Sequence, residues 1–201
     1  TLRAQGDILL ADNVDITTRG GTFTVGGAND TAELFGGSAD GAGSFTQNAT
    51  ATIVTTGKDD TAGGAVTIKA DIRNPGSGAT TGTIDIKGDI TTKGGTATGS
   101  NAGTAGGDVS LTSMTSAGVI TISTGADIDT RGSDGQSGAT GGAGGAVTLD
   151  TANTVITLHD TEIKTDGGTS SGTKGAGGTI TIKDPLQIGT NTVTLQTGAS
   201  S

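Results

Sequence analysis

The chain has 201 residues, of which 39 are glycine, 2 are proline and none is cysteine. Charged residues make up 15% and hydrophobic residues 30% of it, less than a compact globular domain usually contains. The missing cysteine excludes disulfides and thiolate metal sites, and the scarcity of proline excludes a collagen triple helix. A net charge of −9, with no basic cluster, excludes nucleic acid as a partner. No apolar run is long enough to span a membrane.

A five-residue signature, Ile-x-Thr-x-Gly, occurs five times at nearly constant spacing. Its isoleucines lie 35 to 38 residues apart, at positions 16, 53, 90, 128 and 163. A period of this size is typical of a solenoid, in which each repeat stacks on its neighbour. Strand alternation points the isoleucine and threonine of each signature inward. We therefore predict a structural ladder made of Ile16 and Thr18, Ile53 and Thr55, Ile90 and Thr92, Ile128 and Thr130, and Ile163 and Thr165.

Each repeat contains two further short strands, rich in Thr, Val and Ile, which favour strands over helices. An opening strand precedes the signature, with copies at 84–86, 120–122 and 156–158, and the triplet at 193–195 is interpreted as its last copy. A closing strand follows, usually after a Gly-Gly pair, at 23–25, 66–68, 109–111, 147–149 and 180–182. Three strands per repeat predict an all-β fold, a parallel β-helix of about five triangular coils of 35–38 residues.

Glycine-rich insertions separate the signature strand from the closing strand at 94–107, 132–145 and 167–178. Such segments tolerate positive φ and can stay mobile at little free-energy cost, so we expect loosely ordered loops that leave one corner of every coil and lie stacked above each other. The region 26–43 is less regular, and Leu34 and Phe35 within it are expected to cover one edge of the helix.

The unbroken period predicts a single domain over residues 1–201. No amphipathic capping helix is evident at either terminus, and open strand edges pair readily with other strands. We therefore expect either a segment of a longer repetitive protein or a subunit that stacks end to end. The opening residues, Thr1-Leu2-Arg3, favour a mature or excised segment.

Candidate metal and catalytic residues are few. Asp59, Asp60 and Asp134 are the calcium candidates, because carboxylate oxygens are the ligands that calcium prefers. The full calcium-binding repeat of β-rolls is absent from the sequence, so solvated turn aspartates are the favoured interpretation and no other cofactor is expected. His159, the one histidine, is expected at the surface beside Asp160.

Two residue patterns suggest alternative functions. A recurrent corner position holds Arg19 and Arg131, which a polysaccharide-active enzyme could use, but its other occupants (Thr56, Lys93 and Asp166) are typical of a solvated corner. An outward column on the closing strands suggests an ice-binding β-solenoid; its members are Thr24, Thr67, Ser110, Thr148 and Thr181. The flanking column includes Asp108, so a threonine ladder on a solvated sheet is the favoured interpretation.

Three phrases carry a resemblance to a known family: Gly-Gly-Ala-Val-Thr-Leu at 144–149, Gly-Asp-Ile-Thr-Thr-Lys-Gly at 88–94 and Gly-Ala-Asp-Ile-Asp-Thr-Arg-Gly at 125–132. They resemble the β-helical shafts of filamentous-haemagglutinin-like exoproteins, and autotransporter passengers are similar. The resemblance implies a right-handed parallel β-helix, secretion to the bacterial surface, and a non-enzymatic role in adhesion, biofilm or filament formation. The implied partners are neighbouring coils or other copies of the chain, and host or matrix glycans or proteins.

Overall fold

The computed structural model describes residues 2, 7–26, 43–70, 82–114, 116–189 and 191–198. Within these residues the backbone forms 17 short β-strands and no helix. Accordingly, the described chain contains no helix long and apolar enough to cross a membrane. The predicted irregular region that includes Leu34 and Phe35 lies mostly outside the described residues.

The strands form three parallel sheets, and each sheet takes one strand from every successive coil. The opening sheet contains β1 (Ile8–Leu10), β4 (Phe45–Gln47), β7 (Ile84–Ile86), β10 (Ile120–Ile122), β13 (Ile156–Leu158) and β16 (Leu186–Ile188). The signature sheet contains β2 (Asp15–Thr17), β5 (Thr52–Val54), β8 (Ile90–Thr91), β11 (Ile128–Asp129), β14 (Glu162–Lys164) and β17 (Thr194–Gln196). The closing sheet contains β3 (Phe23–Val25), β6 (Val66–Ala70), β9 (Val109–Ser113), β12 (Val147–Thr151) and β15 (Ile180–Ile182). This arrangement confirms a parallel β-helix of five three-stranded coils, followed by β16 and β17 of a sixth.

The core is a thin stack of aliphatic side chains along the helix axis. In the middle coils, strands of the opening and closing sheets alternate buried and half-buried residues, as in β7 and β12, because successive side chains point to opposite faces. The signature isoleucines stack in register, each pairing with the isoleucine of the next coil, and the column continues to Leu195. Four of them are completely buried, at 53, 90, 128 and 163. The signature isoleucines therefore form one column along the core, which is only half-buried at Ile16 in the first coil.

The position predicted for the last opening strand is wrong. The triplet at 193–195 overlaps β17, which pairs with β14 in the signature sheet, whereas the opening strand of the sixth coil is β16, which pairs with β13. Leu195 stands where the earlier repeats have isoleucine, so the signature is degenerate there and the alternating Val-Thr-Leu pattern fits either strand equally well. Only hydrogen bonding to a strand of the preceding coil distinguishes an opening strand from a signature strand here.

Candidate functional site

The inward threonines of the signature close the neck of each glycine-rich insertion. Thr55, Thr92, Thr130 and Thr165 are fully buried, whereas Thr18 of the first coil is half-buried. Each hydroxyl donates to the carbonyl of a glycine that returns from the insertion: Gly64 (2.5 Å), Gly107 (2.5 Å), Gly145 (2.7 Å) and Gly178 (3.1 Å). The N–H of the same glycine donates back to the threonine carbonyl, at 2.8, 2.6, 2.7 and 2.6 Å respectively. We call this reciprocal pair the threonine–glycine clamp.

The clamp makes a testable contribution to stability. Replacing Thr130 with valine keeps the shape of the side chain but leaves the buried Gly145 carbonyl without its hydroxyl donor. We expect the free energy of unfolding to fall by about 1–3 kcal/mol, the usual cost of an unsatisfied buried group. Chemical denaturation measures it. The control is Thr148→Val on the outer face of the closing sheet, which should change stability by at most about 0.5 kcal/mol. Equal effects at the two positions would contradict a role for the clamp.

The insertions are ordered, so the expectation of loosely ordered loops is wrong. Their backbones are hydrogen-bonded from coil to coil, N–H to carbonyl, in five bonds of one kind: Gly63 to Ala105 (2.9 Å), Gly103 to Thr140 (2.8 Å), Gly106 to Ala143 (2.9 Å), Gly141 to Thr173 (2.9 Å) and Gly144 to Ala176 (2.9 Å). These bonds satisfy amides that a protruding loop would leave to water. The insertions therefore form a second stack, the glycine stack, beside the triangular body.

The glycine stack is packed too tightly for side chains. A Cβ atom placed on Gly63, Gly106 or Gly144 would lie 1.9 Å from the carbonyl oxygen of Thr92, Thr130 or Thr165, respectively. Each of these oxygens belongs to the clamp of the following coil. Only glycine fits at these positions, because the neighbouring backbones leave no room for a Cβ atom. Composition alone does not reveal this requirement.

A groove of about 640 Å³ runs along the edge between the signature sheet and the glycine stack. Its polar and charged lining comes from successive coils: Thr56, Asp59, Thr91, Lys93, Thr96, Arg131, Ser133, Asp134, Gln136 and Thr169. Three members of the predicted corner position, Thr56, Lys93 and Arg131, thus face a concave surface. The sequence predicted a solvated corner for these side chains and did not reveal the groove, because the groove exists only when the glycine stack is ordered.

Arg131 is held by a carboxylate from its own signature strand. Its Nε and Nη2 atoms lie 2.9 and 2.6 Å from Oδ1 and Oδ2 of Asp129. Burial raises the pKa of Asp129, but the hydrogen bonds and charge of Arg131, with the charge of Lys93, outweigh it and lower the pKa below its ordinary value. The hydrogen bond to Asp129 in turn raises the pKa of Arg131. Lys93, one coil away, has no described carboxylate in an ion pair with it and supplies the groove with a cation.

The lowered pKa of Asp129 predicts acid sensitivity. A carboxylate whose folded pKa lies below the unfolded value of about 3.9 adds stability above that value and loses it as the pH falls through the folded pKa. Asp129→Asn should therefore be less stable than the wild type at pH 7 and lose less stability on acidification. Denaturation curves measured from pH 7 to pH 2 give the free energy of unfolding at each pH and test this. Arg131→Gln should also lose less stability than the wild type as the pH falls. A loss in Asp129→Asn as large as that in the wild type would contradict the assignment.

The calcium candidates have structural contacts. Asp60 accepts hydrogen bonds from the Thr98 hydroxyl and N–H, which lower the pKa of its carboxyl. Asp134 accepts from the N–H of Thr169 at 2.6 Å, and Asp59 lines the groove. Within the described ranges, no three His, Cys, Asp or Glu side chains converge in a way that could hold a metal ion. Asp60 and Asp134 therefore join neighbouring coils, and calcium binding stays a prediction.

Bridging of this kind recurs along the helix. Other aspartates also accept a backbone N–H from the following coil: Asp7 from Ser44 (2.8 Å), Asp89 from Asp127 (3.0 Å), Asp108 from Ala146 (2.8 Å) and Asp127 from Glu162 (2.8 Å). A carboxylate that accepts from an amide forms a charge-assisted bond, stronger than a neutral one. Several of the acidic residues that give the chain its net charge of −9 thus join neighbouring coils through hydrogen bonds.

His159 is half-buried rather than exposed. Its imidazole packs on Gly189 of the sixth coil, where a Cβ atom would lie only 1.9 Å from the His159 Nδ1. The ring therefore contributes to stacking between the fifth and sixth coils.

The outward threonine column on the closing sheet is in register through all five coils. Its neighbours are charged, however: Lys183 and Asp150 form an ion pair of 2.7 Å on the same face. A flat array of hydroxyls is thus interrupted, and ice binding stays an alternative whose test is thermal hysteresis.

Sequence reasoning missed several buried polar residues, namely Gln47, Ser113, Thr151, Thr161 and Asp166, and it was wrong to place Asp166 at a solvated corner. Gln47 is fully buried in the opening sheet, at a position that Ile86, Ile122 and Leu158 occupy in later coils. Its Nε2 donates to the carbonyls of Ala51 (2.8 Å) and Asp89 (3.1 Å), whereas its Oε1 has no partner among the described residues. Glutamine is usually exposed. The only sign of burial in the sequence was that Gln47 lies two residues after Phe45 on the same strand, so both side chains point inward.

The fold and the groove define a parallel β-helix with an ordered glycine stack along one edge. Comparisons of the chain with protein-family models, with curated proteins and with solved structures found no match.

Proposed function

We propose that the chain is an extracellular structural and adhesive scaffold of a bacterial surface or matrix protein, and not an enzyme. The observation that carries this proposal is the continuous register of three sheets and the glycine stack, which together hold a polar groove across several coils. Such a body presents the same face repeatedly along an axis, as an extended binding surface requires. The resemblance to exoprotein shafts supports the location.

The groove supports adhesion to a glycan. Its hydroxyl, amide and carboxylate groups, among them Thr91, Gln136 and Asp59, can exchange hydrogen bonds with sugar hydroxyls. Lys93 adds hydrogen-bond donors to this set. The groove spans coils that are about 4.8 Å apart, so an elongated chain fits it better than a compact ligand. An uncharged linear polysaccharide is the class we propose, because the net charge of −9 and the groove carboxylates of Asp59 and Asp134 repel polyanions.

Catalysis is disfavoured by how the charged groups are engaged. Arg131 is paired with Asp129, and the carboxylate of Asp134 accepts from the backbone of Thr169. A general base or acid needs access to the proton it transfers. Incubation with linear polysaccharides, neutral or acidic, should therefore leave their chain length unchanged, and shortening of the chains would favour the enzyme alternative.

Binding to immobilised acidic and neutral polysaccharides tests the adhesive function. We expect the neutral polymers to bind more tightly at low salt, because the net charge of −9 repels acidic polymers until salt screens it. Lys93→Ala should weaken binding of the neutral polymers several-fold, because the groove loses hydrogen-bond donors. The matched control is Lys69→Ala, which removes the same charge from the closing sheet, away from the groove. Equal binding by the two variants would overturn the groove assignment. Surface labelling of intact cells, against a cytosolic control, tests the location.

A further inference from the structure

The groove beside the glycine stack has a backbone floor between two polar sides. The floor contains the signature glycines Gly94, Gly132 and Gly167, which are buried and carry no side chain. On one side lies the corner position just before each of these glycines, where Lys93 and Arg131 are half-buried. On the other side lies the position two residues after each signature glycine, which we call the outer wall. Its members all line the groove and are all exposed: Asp59, Thr96, Asp134 and Thr169.

The outer wall is in register from coil to coil. Each signature glycine donates its N–H to the carbonyl just before the next signature glycine, at 3.0 Å in all three steps: Gly57 to Lys93, Gly94 to Arg131 and Gly132 to Asp166. The same register continues past the glycines, because Asp60 donates to the Thr96 carbonyl at 3.0 Å and Gly135 to the Thr169 carbonyl at 2.9 Å. The four outer-wall residues therefore stand in one column, about 4.8 Å apart.

The outer wall alternates carboxylate and hydroxyl along the helix axis. Asp59 and Asp134 are two coils apart, about 9.6 Å, with Thr96 between them. Asp134 accepts the N–H of Thr169 on Oδ1 at 2.6 Å, and a carboxylate accepts on both oxygens, so Oδ2 can take a further donor. The two carboxylates are too far apart to share one atom of a ligand. They can instead accept from two equivalent groups of an extended ligand that repeats every two coils.

A β-1,4-linked sugar chain has this repeat. In such a chain each six-membered ring is turned over relative to the ring before it, so equivalent hydroxyls face the same side on every second ring. Each ring also advances the extended chain by about one coil spacing. A chain that lies along the groove therefore places one ring on each coil and equivalent hydroxyls opposite Asp59 and Asp134. Chains linked α-1,4 or β-1,3 curve, so they lose this register along the groove.

An extended peptide does not match the outer wall. Its residues advance by about 3.3 Å, so side chains on one face recur about every 6.6 Å, between one and two coil spacings. The floor of Gly94, Gly132 and Gly167 is backbone and offers no separate pocket for each side chain. The spacing of the wall thus favours a sugar chain over a peptide.

We infer that the groove binds an uncharged β-1,4-linked glycan lengthwise, one sugar ring per coil, and that Asp59 and Asp134 determine this specificity by accepting hydrogen bonds from alternate rings. The inference rests on the proposed adhesive function and deepens it by naming the linkage. Lys93 and Arg131, on the opposite side of the floor, donate to ring and hydroxyl oxygens of the same chain. The outer wall spans four coils and so accommodates four rings.

Uncharged hexasaccharides test the linkage. Titration calorimetry compares the β-1,4, α-1,4 and β-1,3 hexamers of glucose, which have the same atoms, and adds the β-1,4 hexamers of mannose and N-acetylglucosamine. The tightest β-1,4 hexamer should bind at least about ten-fold more tightly than either curved hexamer, the effect of one charge-assisted hydrogen bond. Equal or tighter binding of a curved hexamer would overturn the inference. So would a failure of all three β-1,4 hexamers to bind at their solubility limits.

Chain length tests the placement of one ring on each coil. Affinity for the preferred β-1,4 sugar should rise steeply between two rings and four, because only a chain of three or more rings reaches both Asp59 and Asp134. Beyond four rings it should change little, since the outer wall ends at Thr169. An affinity that is already constant from two rings onward, or that rises as steeply from four to six as from two to four, would contradict this placement.

Replacing the carboxylates tests the assigned residues. Asp59→Asn and Asp134→Asn should each weaken binding of the preferred hexamer about ten-fold, because each removes a charged acceptor. The matched control is Asp108→Asn. Asp108 is also exposed and accepts an N–H of the next coil, that of Ala146 at 2.8 Å, but it lies outside the groove, beside the closing sheet. It should leave the affinity unchanged, and circular dichroism checks that all three variants fold. Equal weakening by Asp108→Asn and Asp134→Asn would overturn the role of the outer wall.

The proposed function and this inference can fail separately. Binding of neutral polysaccharides with no preference for the β-1,4 linkage would overturn the inference and leave the adhesive scaffold standing. Binding of no polysaccharide, immobilised or soluble, would remove both.

Discussion

Replacing Gly106 with alanine should destabilise the chain by about 3 kcal/mol or more, the largest effect we expect from adding a single methyl group. The new Cβ would lie 1.9 Å from the carbonyl oxygen of Thr130 in the next coil. Overpacking usually costs about 1–3 kcal/mol when neighbours can shift. Here the neighbour is backbone held by the threonine–glycine clamp, and Gly106 itself donates to Ala143 at 2.9 Å. The clash can be relieved only by separating the two coils, which breaks the hydrogen bonds between them.

Gly99→Ala, in the same insertion, is the matched control. A Cβ there would meet nothing within 4 Å, although φ is +61°. Its cost is limited to the strain of a left-handed alanine, about 1–2 kcal/mol. Urea denaturation of both variants, followed by circular dichroism, measures the difference. Similar costs at the two positions would mean that the glycine stack is not packed in solution.

Replacing Ile128 with alanine should lower the free energy of unfolding by about 2–5 kcal/mol. Ile128 is completely buried and pairs with Ile90 below and Ile163 above. Removing its methyl groups loses their transfer free energy and leaves a cavity between two coils whose spacing is fixed by backbone hydrogen bonds. The surrounding structure cannot collapse into such a gap, so the cost belongs in the upper part of the range.

The control for Ile128 lies in the same column. Leu195→Ala removes a similar side chain, but Leu195 is 45% exposed, so we expect a cost of about 1 kcal/mol or less in dilute solution without added salt. Thermal and chemical unfolding of the two variants, compared at one low concentration, measures the contrast. A larger loss at Leu195 than at Ile128 would contradict the column.

The glycine-rich insertions show where sequence reasoning was wrong and why. Their composition is that of a flexible linker, and residues 132–145 contain little that is apolar. They are nevertheless ordered, because each amide finds a carbonyl in the adjacent coil and glycine lets the backbones come close enough. One such segment in isolation would be mobile. Several such segments, repeated at a constant period, become ordered because each hydrogen-bonds to the next.

The sequence by itself determined the coil. The spacing of Ile16, Ile53 and the later signature isoleucines defines the period, and strict alternation decides which side chains face the core, because a strand has a repeat of two residues. Tertiary structure alone decided the hydrogen-bonded order of the glycine stack, the groove beside Lys93 and Arg131, the burial of Gln47 and the strand to which Leu195 belongs. Each of these depends on contacts between residues 30 or more positions apart, where the local pattern is compatible with several partners and only hydrogen bonding to the next coil selects one.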